Sequence, residues 1–450
     1  MKKSISLMIA GCLCVGGLVR FAHGADLMAV YRDALAYDAQ FAAARAALEA
    51  GREKLPQGRA GLLPTVGVAG STIWNEQDST LRTSGAETRN TSFNTNGWTA
   101  TLTQPLFRWQ NWVAYTQSEL VVAQAEAQFG LARQDMIVRA AQAYFDVLLA
   151  QDTLAVAQAQ KVAIAEQLES AKRNFEVGTA TITDTHEAQA RYDLTSAQEI
   201  AALNDLTVRR QVLRAVIGKE PEGLKNLRPG VPLVRPQPDD IGKWVEMAES
   251  TSASVQVSQA LYEIATREIE RQRAGHYPTL DLVATRGRSS TTDTQATSAG
   301  VGLGVGSDTN SSTIGLQLSI PIFAGGAVAS RDREAVALKE KAAADLENAR
   351  RTAALNARQA YLGVTSGLAQ VKAYEAALTS SQSALDSNKL GYDVGVRINI
   401  DVLNAQSQLF DTRQKLAKAR LDTLLALLRL KAAAGSLGED DVAAVNALLE

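Results

Sequence analysis

Proline placement constrains this chain more than any other feature. Of its ten prolines, none falls between Leu106 and Glu220 and none follows Pro321. Proline removes a backbone donor and clashes with the preceding turn, so it breaks helix interiors. The two proline-free stretches are therefore open to helices of unusual length. Trp109 to Val177 and Gly326 to Asp393 are rich in Ala, Leu, Gln, Glu and Arg, residues of high helix propensity. Each run is nearly 70 residues, which at 1.5 Å per residue is a rod of about 100 Å. Gly178 and Gly395 interrupt the two patterns, and a second helix is expected after each, about Thr183 to Val216 and about Asn399 to Ala433.

The two stretches are one unit written twice. An offset of 217 pairs Ala143-Tyr144 with Ala360-Tyr361 and Phe175-Glu176-Val177-Gly178 with Tyr392-Asp393-Val394-Gly395. The same offset pairs Ile182-Thr183-Asp184 with Asn399-Ile400-Asp401, and Ile217-Gly218 with Ala434-Gly435. Upstream, Leu63-Pro64-Thr65 matches Tyr277-Pro278-Thr279, and Gln104-Pro105-Leu106-Phe107 matches Ile320-Pro321-Ile322-Phe323. Duplication, not two unrelated domains, accounts for the length. Within each long helix apolar residues recur every seven positions: Val364, Val371, Leu378, Leu385 and Tyr392, and in the same frame Val147, Leu154, Leu168 and Phe175, with Lys161 as the one break. That period is a seam between helices packed side by side.

Four short strands are expected between the helices, at about 65–75, 98–107, 279–286 and 313–323. Ile314, Leu316, Leu318 and Ile320 alternate with polar or small residues, the period of a strand with one apolar face. Asn75 to Asn96 and Arg286 to Ser312 are rich in Gly, Ser, Thr and Asn and read as exposed loops. Within the second, Gly300 to Gly306 alternates Gly with Val and Leu but lacks the Lys-Ser/Thr of a phosphate loop, so it reads as loop or strand extension. The segment 218–240 holds five of the ten prolines and reads as a crossing piece between the repeats. The expected organisation is a signal peptide (1–24), a first repeat (25–217), the linker (218–240), a second repeat (241–434) and a C-terminal segment (435–450).

The signal peptide rests on Lys2 and Lys3, an apolar run from Ile5 to Val19, and small residues at Ala22 and Gly24, a pattern suited to cleavage after Gly24. Ile9-Ala10-Gly11-Cys12 offers a competing lipoprotein-type cut. Cleavage after Gly24 removes both cysteines, Cys12 and Cys14, and leaves no thiol for a disulfide or a thiolate metal site. With 46 basic and 48 acidic residues the net charge is −2, so no nucleic-acid partner is indicated. His186 and His276 stand far apart in sequence, and no nucleophile, P-loop or HExxH motif is present. No enzyme activity, cofactor or metal is expected.

If the four strands lie in a membrane, every backbone polar group must be paired, so the sheet must close into a barrel. Known barrels begin at about eight strands, so several subunits must share one.

The sequence resembles the TolC family of outer-membrane efflux and secretion channels along essentially the whole mature chain. The most specific pieces are Leu62-Leu63-Pro64, Tyr277-Pro278-Thr279-Leu280-Asp281-Leu282, Pro321-Ile322-Phe323-Ala324-Gly325-Gly326, and Gly391 to Leu403. The resemblance implies a mixed α/β membrane protein: a homotrimer with a shared twelve-stranded β-barrel in outer-membrane lipid and a helical tunnel of antiparallel coiled coils in the periplasm. It implies a periplasmic adaptor and an inner-membrane ABC or proton-driven pump as partners, in type I protein secretion, multidrug efflux or both. It places a gate at the turns around Gly178 and Gly395, with Tyr392 and Arg397 as links and Thr183 and Asp184 as candidate partners. Asp401 matches a cation-selecting ring, and the chain departs from the family's second acidic position, where it has Asn404. The competing reading is a structural or adhesive envelope coiled coil without a pore.

Overall fold

The structure, a computed structural model, describes residues 25–450 apart from 81, 83–87, 222, 229, 293–294 and 297–305. The expected signal peptide and most of the glycine-alternating stretch lie outside the described residues. Three short helices, α1 (Leu27–Tyr37), α2 (Ala39–Arg52) and α3 (Lys54–Ala60), lead into strands β1 (Thr65–Thr80) and β2 (Thr88–Phe107). Then come α4 (Trp109–Glu176) and α5 (Ile182–Ile217). The second repeat follows the same order: α6 (Ile241–Thr251), α7 (Ala253–Arg273), β3 (Thr279–Thr291), the two-residue β4 (Gln295–Ala296), β5 (Ser307–Ser319), α8 (Ala327–Asp393) and α9 (Asn399–Ala433). A last helix, α10, covers Glu439–Asn446.

The long helices fall within a residue of their expected bounds, at 68 residues for α4 and 67 for α8. Each folds back on its successor, α4 on α5 and α8 on α9. The half of each nearer the strands is flanked by short helices, α2, α3 and α7 on α4, and α6 and α7 on α8. The seven-residue seam is interior: Val147, Leu168, Val364, Val371 and Leu385 are buried. At the break in the seam, the Lys161 ammonium donates to Glu199 Oε2 at 2.8 Å. This hydrogen bond raises the lysine's pKa and lowers the glutamate's, so both stay charged.

The strands correct the sequence reading. They are longer than expected, and much of Asn75–Asn96 and Arg286–Ser312, expected as loop, is strand: β1 and β2 pair from Thr65↔Thr103 to Thr80↔Thr88, and β3 and β5 from Thr279↔Ser319 to Thr291↔Ser307. Backbone pairing needs no apolar side chain, so polar alternation hid these ends. In the other direction β5 stops at Ser319 rather than 323. Pro321 lacks the N–H that a ladder needs.

The sheet is antiparallel, in the order β1-β2-β3-β5, so the central β2–β3 pair joins the two repeats. Its faces differ. One carries Val66, Val68, Trp74, Leu102, Trp98, Leu282, Ile314, Leu316 and Leu318; the other is mostly Thr, Ser and Gly, with rows such as Gly67–Thr101–Thr285–Thr313. The polar face is the more crowded one at two glycines. On it, a Cβ added at Gly97 would stand 2.5 Å from the Arg288 carbonyl oxygen, and one at Gly287 would stand 2.6 Å from that of Trp98. The neighbouring strand comes so close on that face that only glycine fits. Among the described residues β1 and β5 have no outer partner, and no helix is long and apolar enough to cross a membrane.

The main core sits midway along the rods. Leu27, Val30 and Tyr31 of α1 meet Ile137, Tyr144 and Leu148 of α4, Leu424 and Leu428 of α9, and Val442 of α10. The 218–240 segment is tied into this layer. Ala25 bridges to Leu224 and Leu227 to Leu449, and the buried Tyr144 hydroxyl donates to the Lys225 carbonyl at 2.7 Å.

Candidate functional site at the helix turns

The ends of the two hairpins far from the strands have the same backbone. Gly178 (φ 79°) and Gly395 (φ 78°) occupy the left-handed region, as the residue after a helix end commonly does. In each, that glycine's amide donates three residues back, to the Phe175 carbonyl at 3.0 Å and to the Tyr392 carbonyl at 3.0 Å. The next residue but one, Ala180 or Arg397, donates to the carbonyl of Asn174 or Gly391.

The side chains divide the two turns. Before α5, Thr181 is the N-cap. The Asp184 amide donates to its hydroxyl at 3.3 Å, and the Asp184 carboxylate accepts from the Thr181 amide at 2.9 Å and hydroxyl at 2.8 Å, a complete capping box. Before α9 the corresponding residue is Ile398, which offers no cap. Asp401, the counterpart of Asp184, faces Arg397 instead, at 3.5 Å. Arg397 lies across Gly391, where a Cβ would come within 2.7 Å of its Cγ.

What holds the second turn comes from the first hairpin. Asn174 donates to the Tyr392 hydroxyl at 3.1 Å. Buried Asn399 accepts from Gln167 and donates to the Asp184 carbonyl at 3.3 Å. Arg191 donates to Asn404 Oδ1 at 2.9 Å. Leu403 of α9 inserts among Ile164, Leu168, Ala171 and Ala188.

Of the expected gate residues, the structure brings Tyr392, Arg397 and Asp401 to one turn and Thr183 and Asp184 to the facing one. Within the chain it does not pair Tyr392 or Arg397 with Thr183 or Asp184. Thr183 is exposed, Asp184 is engaged by Thr181, and Tyr392 meets Asn174. Sequence reasoning missed Asn174, Gln167, Asn399 and Arg191. For Asn174 a signal existed: its counterpart across the repeat is Gly391, an amide in one turn and no side chain in the other. His186 lies in α5 and His276 in the turn before β3. No cluster that could hold a metal occurs among the described residues.

A sheet too small to close, polar on one face and apolar on the other, stands on rods of about 100 Å whose far ends interlock by modest polar contacts. Such a chain has the architecture of an outer-membrane channel extended by a helical duct. A family model described as outer membrane efflux protein matches residues 30–219 and 244–436, one match on each repeat. The chain belongs to that family. It is 32% identical over 452 residues to the outer membrane protein TolC of Vibrio cholerae, across 100% of this chain and 99% of that one. It is 30% identical over 448 residues to the proteases secretion protein PrtF of Dickeya chrysanthemi, across 98% and 94%. Among solved structures, the outer membrane protein VceC of Vibrio cholerae has the same fold, with a TM-score of 0.74 at 19% identity over 91% of this chain and 96% of that one. The protein is an outer-membrane exit duct, and its family members are channels rather than enzymes.

Proposed function

We propose that three copies of this chain close one twelve-stranded barrel and one helical tunnel, the exit duct of a tripartite export machine. A periplasmic adaptor and an inner-membrane pump, ABC-type or proton-driven, supply recognition and energy. The cargo is secreted protein, small toxic compounds or both. The observation that carries this reading is the sheet with its two open edges and one polar face. Three such sheets joined edge to edge satisfy every strand and leave a wet lumen.

The gate is the ring of turns at Gly178 and Gly395. Tyr392 holds the second hairpin against the first through Asn174, Arg397 braces Asp401 within its own turn, and Asp401, repeated three times about the axis, concentrates negative charge where the passage narrows. Each contact is worth about 1 kcal/mol, which suits a closure that a docking partner must undo. Purified trimers in planar bilayers test this. They should insert and conduct at a low level, and the double variant Tyr392→Phe, Arg397→Ser should raise the conductance. Trimers that insert without conducting would refute the duct, and an unchanged conductance in the variant would refute the clamp.

A further inference from the structure

We infer that Arg286 and Arg288, on the apolar face of β3, form a binding site for the phosphate of an outer-leaflet lipid. The inference rests on the membrane-embedded reading of the sheet but not on the gate. The height of the two arginines follows from the strand register. Rows across that face run Val66–Leu102–Ala284–Ile314, then Val68–Ala100–Arg286–Ser312, then Gly70–Trp98–Arg288–Asn310, then Thr72–Asn96–Ser290–Asp308. On β5 the apolar positions end at Ile314, on β3 at Ala284, on β2 at Trp98 and on β1 at Trp74. The boundary shares one row on β5 and β3, then rises two rows to β2 and two more to β1, a slant of the kind a membrane plane makes across the tilted strands of a barrel.

Aromatic side chains mark both edges of the band. At the helix end, Phe107, Trp109, Trp112 and Tyr277 are exposed; at the other, Trp98 and Trp74 are exposed. From Phe107 to Trp98 is roughly 30 Å of strand, or about 23 Å of height at a tilt of about 40°. That matches the apolar band of about 25 Å between the aromatic girdles of known barrels. Arg288 sits in register with Trp98, and Arg286 lies one row below it. Both are exposed, and on the membrane-embedded reading this register sets them at the depth of the outer headgroups.

The charges are not balanced within the chain. Arg288 is paired with Asp308 at 3.0 Å, and Asp308 is the only carboxylate in these rows. Arg286 has no hydrogen-bonding or ionic partner among the described residues, and its cross-strand neighbours are Ala100 and Ser312. A bare guanidinium above an apolar wall, beside an indole, suits an ester phosphate whose acyl chains lie along that wall. An arginine fork meets phosphate oxygens two at a time, which a scattered surface charge does not.

The test uses the full-length conducting trimer in detergent, with lipid A carrying its phosphates and the same lipid with the phosphates removed. Bound lipid is counted by native mass spectrometry. The wild type should retain the phosphorylated lipid, and Arg286→Gln should weaken that retention about tenfold, with Arg288→Gln weakening it less because Asp308 already holds that charge. Single-channel ion selectivity should not move in Arg286→Gln. Equal retention of the two lipids by the wild type, or unchanged retention in the double glutamine variant, would overturn the site. So would competition by millimolar inorganic phosphate alone, which would mark a free-ion site, or a shift in ion selectivity, which would put Arg286 in the lumen. A chain that failed to form conducting trimers would count against the duct itself, a result distinct from all of these.

Discussion

The first and second hairpins share a backbone and differ in who satisfies whom. In the first, Asp184 is spent locally on the Thr181 cap. In the second, three exchanges at matched positions undo that arrangement. Thr181 becomes Ile398, Ala180 becomes Arg397, and Asn174 becomes Gly391. The carboxylate that capped a helix is released from that cap as Asp401, and the glycine makes room for the arginine that pairs with it. The second hairpin then borrows its anchors from Asn174, Gln167, Arg191 and the Asp184 carbonyl. Duplication thus produced one hairpin capped by its own residues and one that leans on it, and under the proposed gating the leaning one is the part that moves.

The strongest way to break this comparison is Asn399→Ala. It removes two hydrogen bonds between the hairpins and strands the Gln167 amide, at a cost of about 2 kcal/mol, or roughly thirtyfold in the open population. Bilayer conductance should rise accordingly; a rise no larger than that of an exposed control such as Asn204→Ala would show that the second hairpin stands unaided. Next in size is Asp401→Ala, which should abolish block by trivalent cations, whereas Asp184→Ala, at the matched position, should leave it intact. Equal effects of the two would erase the distinction drawn here.

A smaller and sharper exchange is Ile398→Thr. It should install the missing cap, gain about 1 kcal/mol for the start of α9, and weaken trivalent block by drawing Asp401 into the cap. The converse change, Thr181→Ala, should cost about the same without altering conductance. Amide exchange at the two helix starts, read beside conductance, checks both. Strong exchange protection at α9 with unaltered block would mean Asp401 serves cap and passage at once.

The smallest effect contrasts Asp152 with its counterpart Ala369. Burial raises the Asp152 pKa, so the folded chain holds that proton more tightly than the unfolded one. The resulting penalty is absent below the unfolded carboxylate pKa and grows as pH rises through and beyond it. Asp152→Asn should therefore stabilise the protein at pH 7 and not at pH 3. Thermal unfolding at the two pH values gives the answer, and a gain of equal size at both would assign it to packing instead.

The helical half of the molecule was legible because proline gaps, glycine stops and the 217-residue offset all act over long stretches. The strand tips were not. Beyond Asn75 and Arg286 both faces are mostly polar, and pairs such as Thr80–Thr88 and Gln77–Thr91 hold through hydroxyl and backbone contacts instead of burial. The turn residues Gly178, Gly395, Tyr392, Arg397 and Asp401 could be found from the repeat and the family resemblance. Their partners could not. The contact of Asn174 with Tyr392 spans the two repeats, and that of Arg191 with Asn404 joins positions that the repeat does not match. Pairings between duplicated units carry no periodicity of their own, so only the packed chain reveals them.

The unpaired edges of β1 and β5 also carry a genetic consequence. A subunit that cannot complete its own wall shares the fate of its neighbours, so a defective copy harms the sound ones it joins. If three copies close one ring, as proposed, equal expression of normal and altered chains would leave roughly one channel in eight wholly normal. An altered copy that still assembles should therefore act as a dominant inhibitor of export, whereas one with ruined strand edges should be recessive.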